Sequence, residues 1–212
     1  MKRILVVLGL MLAVALSVGA AGVLAHDGSD EQSGSGDTTT CTTPAGGGGG
    51  DNGDNGGSND RRVVLKHDSG SSGSDDIRGS DGGDNENGKS GDDVIAGNGG
   101  NDDLNGDSGD DDLCGDQGDD TVDGGPGNDD ISGGTGNDDL NGGPGNDTVA
   151  GDAGNDTVAG GPGNDVLLGG PGNDRIKARD GRTDRINCGA GNDTVKADSH
   201  DVVSKSCEHV SR

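Results

Sequence analysis

From Ile95 onward an aliphatic side chain returns every nine positions: Ile95, Leu104, Leu113, Val122, Ile131, Leu140, Val149, Val158, Leu167 and Ile176. Each has one residue on either side to form a three-residue strand, in which alternation sends the aliphatic to one face and its neighbours to the other. The six residues between strands are nearly all Gly, Asn, Asp or Pro, which reverse the chain at little steric cost. The pattern predicts an all-β chain, a parallel β-roll (β-helix) solenoid of nonapeptide repeats. One nonapeptide carries the chain half-way round and two complete a coil, so strand n stacks on strand n+2 at about 4.8 Å with the aliphatics inside. Pro126, Pro144, Pro162 and Pro171 fall five before an aliphatic, at a turn position that needs no ladder hydrogen bond.

The array weakens at both ends. Ile77 stands eighteen before Ile95 and in phase with it, but Glu86 occupies the slot between them, which makes this coil degenerate. Arg61 to Lys66 is the first apolar patch of the mature chain and reads either as a strand capping the first coil or as an isolated extended segment. After Ile176 the phase slips by one residue, and Arg175, Lys177, Arg179, Arg182, Arg185 and Lys196 bring positive charge. Residues 1–25 have the basic start, apolar run and small-residue exit of a secretory signal, cleaved after Ala25 or at Ala20 or Ala21; an uncleaved membrane anchor is the alternative. Residues 26–60, rich in Gly and Asp, form a flexible linker. Residues 61–90 hold the N-terminal cap and degenerate repeat, 91–178 the roll, and 179–212 degenerate repeats with a C-terminal cap.

Composition changes this picture in one respect. With 25% hydrophobic residues, no aromatic residue and a net charge of −25, the 212-residue chain has no means to build a conventional core. A flexible low-complexity chain is the competing reading, but biased composition does not place Gly, Asp and aliphatic residues in phase ten times over. The acidity also argues against nucleic acid or an anionic membrane as partner once the signal is gone.

The candidate chemistry lies in the same period. Two positions before each aliphatic stands an aspartate: Asp93, Asp102, Asp111, Asp120, Asp129, Asp138, Asp147, Asp156, Asp165 and Asp174. Stacking brings carboxylates of one file within about 4.8 Å, where each pair repels by roughly 1 kcal/mol even in bulk water, so a cation is expected between them. Carboxylates and turn carbonyls with no soft ligand point to a hard ion, and irregular geometry favours Ca2+ over Mg2+. The repeat has the form G-G-x-G-x-D-x-U-x and resembles the RTX, or haemolysin-type, calcium-binding repeat of secreted bacterial proteins. That resemblance implies several calcium ions held between turns of successive coils by the ten aspartates and backbone carbonyls. It extends to Asp75 and Asp193, whereas Asp184, beyond the slip and without the repeat's glycines, is set aside, so that its replacement by alanine is expected to do little. The tail from Asp201 to Glu208 resembles the C-terminal caps of such proteins.

Four cysteines in a secreted chain suggest two disulfides. Cys188 pairs with Cys207 across a short loop, leaving Cys41 with Cys114; two free thiols or a link to another chain are the alternatives. Cys114, directly after Leu113, is expected to point outward. His26, His67, His200 and His209 are scattered without a zinc-protease motif, and no nucleophile-base arrangement or phosphate loop occurs. Adjacent acids such as Asp102 and Asp103 point opposite ways and make poor acid-base pairs. The reading is therefore a secreted, non-enzymatic protein that folds on calcium. A calcium-dependent surface adhesin or matrix module, its cell-surface or matrix partner unnamed by the sequence, is the alternative.

Overall fold

A computed structural model describes residues 63–65 and 70–212; the expected signal, the linker and Cys41 lie outside the described residues. The described residues form a parallel β-solenoid of about eight coils with no helix. Successive strands alternate between two sheets. One sheet has nine strands, running through Val63–Leu65, Asp76–Arg78, Val94–Ala96, Asp112–Gln117, Asp130–Thr135, Thr148–Ala150, Val166–Pro171, Arg185–Ala190 and Val202–Val203. The other has eight, from Asn85–Asn87 through Asp103–Asn105, Thr121–Asp123, Asp139–Asn141, Thr157–Ala159, Arg175–Lys177 and Thr194–Lys196 to His209–Ser211.

Aliphatic stacks on aliphatic, as the nine-residue period requires: Ile95 pairs with Leu113, Leu113 with Ile131, and Val122 with Leu140. All ten aliphatics from Ile95 to Ile176 are buried between the sheets. Full burial of such a side chain contributes about 1.5–3 kcal/mol, and with one per nine residues the core is thin. Its length rather than its thickness holds the coils together.

Both ends are more regular than the sequence suggests. Asn85–Asn87 pairs with Asp103–Asn105, and Glu86, matched with Leu104, is buried in the slot of an aliphatic. The coil expected to be degenerate is therefore whole, because the flanking turns and backbone ladder set the register. Val63–Leu65 pairs with Asp76–Arg78 and covers the first edge of the nine-stranded sheet. The extra residue after Ile176 is taken up in a turn, since Leu167 still pairs with Ile186 and Ile176 with Val195. At the far end Val202 and Val210 remain exposed on the last strands, where no further coil stacks.

Cys188 and Cys207 form a disulfide that fastens the last coil. Cys114 is disulfide-bonded too, and its expected partner Cys41 lies outside the described residues. The expectation of an outward, accessible Cys114 is corrected: it is buried, as are Ala96, Ser132 and Ala150 of its file. Alternation is kept, but these are small side chains set between neighbours. Asp152, for example, folds over Ser132 and accepts its hydroxyl at 2.5 Å.

Candidate metal centre

The aspartates two positions before each core residue form two files, one along each edge of the roll. One file contains Asp75, Asp93, Asp111, Asp129, Asp147, Asp165, Asp184 and Asp201; the other contains Asp84, Asp102, Asp120, Asp138, Asp156, Asp174, Asp193 and then Glu208. Oδ1 of each aspartate accepts the backbone N–H of the file member one coil earlier. Asp93 N–H donates to Asp111 at 2.8 Å, Asp120 N–H to Asp138 at 2.9 Å and Asp147 N–H to Asp165 at 3.0 Å. Asp165 donates to Asp184, and Asp174 to Asp193, at 2.9 Å in the same way. Glu208 closes the second file by accepting from Asp193 at 3.0 Å.

The second oxygen is in a different state. In the twelve aspartates from Asp93 to Asp193, Oδ2 is buried and has no hydrogen-bond partner. In the ten from Asp93 to Asp174 it lies against a glycine seven before the core residue, where a side chain would not fit; Arg179 and Cys188 stand at that position in the repeats of Asp184 and Asp193. A methyl group on Gly133 would stand 2.5 Å from Asp138 Oδ2 and 2.9 Å from the carbonyl oxygen of Gly151 in the next coil. Carboxylate and carbonyl oxygen thus approach the same point from adjacent coils, which is the physical use of that glycine.

At the ends the protein supplies its own donors. Ser71 gives its N–H to Asp75 Oδ2 and its hydroxyl to Oδ1. Asp84 Oδ2 receives the N–H of Ser80 at 2.5 Å and its hydroxyl at 2.8 Å. Asp201 Oδ2 receives the Asp198 N–H at 2.7 Å. The unanswered oxygens are therefore confined to the interior of the array.

Burial holds the interior carboxyls above their ordinary range. Asp111, Asp147 and Asp156 are pushed up to about 7. Asp93, Asp120, Asp129, Asp138 and Asp184 rise to about 6, and Asp102, Asp165 and Asp174 are raised as well. Loss of hydration is the main cause; the N–H on Oδ1 opposes it, and neighbouring carboxylates add to it.

Among the described residues no three acidic, histidine or cysteine side chains close on one point. A cation in these turns would be held by one or two carboxylates and by backbone carbonyls, an all-oxygen set that fits a hard divalent ion. Asp84, Asp201 and Glu208 also stand in the files, although the sequence reading passed over them as metal candidates. One signal could have found them, since each lies two before the residue in the core slot, at Glu86, Val203 and Val210.

A parallel β-solenoid with two buried files of half-answered carboxylates along its edges has the architecture of a metal-binding repeat protein. Residues 87–122, 115–149, 123–158, 141–176, 150–183, 159–195 and 179–201 match the RTX calcium-binding nonapeptide repeat. These matches span residues 87–201, more than half of the chain, and the protein belongs to this family. Comparison with curated proteins finds no match.

Proposed function

We propose that the protein is a secreted, non-enzymatic calcium-binding roll in which Asp93, Asp102, Asp111, Asp120, Asp129, Asp138, Asp147, Asp156, Asp165, Asp174, Asp184 and Asp193 offer Oδ2 to Ca2+. The observation that carries the reading is the buried, unpartnered Oδ2 repeated in register at these twelve positions. Calcium supplies a hard positive charge that takes six to eight oxygen ligands at once. The chain itself fixes the carboxylates: Oδ1 is tied to the preceding coil, Oδ2 of Asp93 to Asp174 faces a side-chain-free recess, and from Asp93 to Asp156 a glycine carbonyl of the next coil stands beside it. Asp75 is left out of the set because Ser71 answers both of its oxygens. Secretion is supported by the signal-like start of the chain and by the Cys188–Cys207 disulfide, which suits an oxidising compartment with abundant calcium.

Once the carboxylates ionise, above about pH 7, folding and binding are then one process, because the roll brings together carboxylates that repel without a cation. Circular dichroism of the chain without residues 1–25 at about pH 8, in chelator and then in millimolar calcium, tests this. Strand structure should appear with the metal, and identical spectra would refute the reading.

A further inference from the structure

Six positions before the core residue, the regular repeats carry glycine: Gly125, Gly134, Gly143, Gly161 and Gly170 have φ between 95° and 103°. Five other repeats put a side chain into this left-handed slot. They are Lys89, Asn98, Asp107, Asp116 and Asp152, with φ between 63° and 79°. A Cβ is disfavoured there, and an aspartate also brings negative charge beside a buried carboxylate. In a purely structural repeat, glycine would be the better residue on both counts.

Asp116 and Asp152 share one edge of the roll, in the turns from the nine-stranded to the eight-stranded sheet. Gly115 and Gly151, just before them, are the glycines against which Asp120 Oδ2 and Asp156 Oδ2 lie, and both oxygens are buried and unpartnered. The negative charge of Asp116 acts on Asp102 and Asp120, and that of Asp152 on Asp138 and Asp156. Asp116 and Asp152 also line a groove of about 1050 Å³ with Asn98, Gln117, Ser132 and Thr135, and no cationic side chain is among its walls. Asp107 has the same backbone conformation on the opposite edge, and Gly106 before it likewise lies against Asp111 Oδ2, but Asp107 is not among the walls of the groove that Asp116 and Asp152 line, and its charge is not a cause of the raised carboxyls of its file.

We infer that Asp116 and Asp152 set calcium affinity: each adds a second carboxylate to a metal-binding turn, so that the turns at 115–120 and 151–156 load first. The inference rests on the calcium reading above, and added ligand charge is a principal means by which protein calcium sites are tightened.

The test uses Asp116→Gly and Asp152→Gly, which restore the residue the repeat itself uses, with Asp107→Gly as a control matched in backbone and charge. Calcium is titrated by calorimetry, and folding is followed by circular dichroism over the same titration. Asp116→Gly and Asp152→Gly should each weaken the tightest class of sites by roughly three- to tenfold. Asp107→Gly should leave the tightest class unchanged. A structural role alone predicts no loss of affinity, so wild-type binding in both variants, or an equal loss in Asp107→Gly, overturns the inference. If the unsubstituted protein takes up no calcium, the calcium reading fails and this inference fails with it.

Discussion

Asp120 Oδ1 accepts the backbone N–H of Asp102, one coil earlier, at 2.8 Å. The preceding residues pair in the opposite sense: Asp119 N–H donates to Asn101 Oδ1 at 3.1 Å. Each turn is therefore tied to the next coil through its buried aspartate and to the previous one through its exposed Asn or Asp. The pattern recurs between 137/138 and 155/156, where Asp138 donates forward at 2.9 Å and Asn155 donates back at 3.1 Å. Side-chain ladders thus continue the sheet hydrogen bonding round the turns, and damage to one turn reaches the coils on both sides.

Replacing Asp138 with alanine removes the acceptor for the buried Asp120 N–H as well as one Oδ2. Loss of the acceptor alone should cost about 1–3 kcal/mol in calcium. From the phase slip, the sequence suggested that Asp184→Ala would do little, but Asp184 accepts from Asp165 at 2.9 Å and its Oδ2 is buried like the rest. Comparable losses are therefore expected in both variants by thermal melting. A silent Asp184→Ala would put the end of the array before the slip.

The self-answered carboxylates at the first coils make a prediction about stoichiometry. Asp75→Asn should leave the number of bound calcium ions unchanged, because Ser71 already occupies both oxygens of Asp75. Asp129→Asn, in the interior, replaces an unpartnered oxygen and should lower the number. Metal analysis of the two variants after equilibrium dialysis separates them; a lower count for Asp75→Asn would extend the array to its first coil.

The nine-residue aliphatic period was sufficient to read the strands, the eighteen-residue register and the core, since a three-residue strand can bury only its middle residue. The file of aspartates was legible for the same reason. What the carboxylates do was only half visible: the sequence suggested mutual repulsion, while the structure shows Oδ1 bound to a backbone N–H and only Oδ2 left over. That distinction depends on the direction of a side chain inside a turn, which period alone does not fix. Glu86 misled because its chemistry breaks the hydrophobic pattern although backbone and turns preserve the coil. Cys114 misled because outward direction was equated with exposure, and small side chains in a ladder can be covered by their neighbours.

The Cys188–Cys207 disulfide joins residues 19 apart and ties the last coil to the roll. Cross-linking a loop of this length stabilises by about 3 kcal/mol in the chain-entropy account. Replacing both cysteines with serine should lower the melting temperature in calcium and fray the strands at Val202–Val203 and His209–Ser211 first. Hydrogen exchange would show this as faster exchange there, with Leu104 and Leu113 unaffected. Uniform acceleration along the roll would mean that the end coil does not unravel independently.

The raised carboxyls give the protein opposite pH responses with and without metal. Asp111, Asp147 and Asp156 stand at about 7 in the folded chain against an ordinary value of 3.8, and Asp93, Asp120, Asp129, Asp138 and Asp184 at about 6. Between these limits the folded chain binds more protons than the unfolded one, so stability of the calcium-free roll is present on the acid side and is lost as pH rises through 6 to 7. Calcium requires the ionised form, so its binding competes with the same protons and strengthens as they leave. In chelator, the melting temperature should fall from about pH 4.5 to about pH 7.5, whereas in calcium it should rise over that range. Calorimetry near pH 6 in two buffers of different ionisation enthalpy should also reveal protons released on calcium binding. Identical heats in the two buffers, or a calcium-free roll that gains stability toward neutral pH, would show that the buried carboxylates are ionised before the metal arrives.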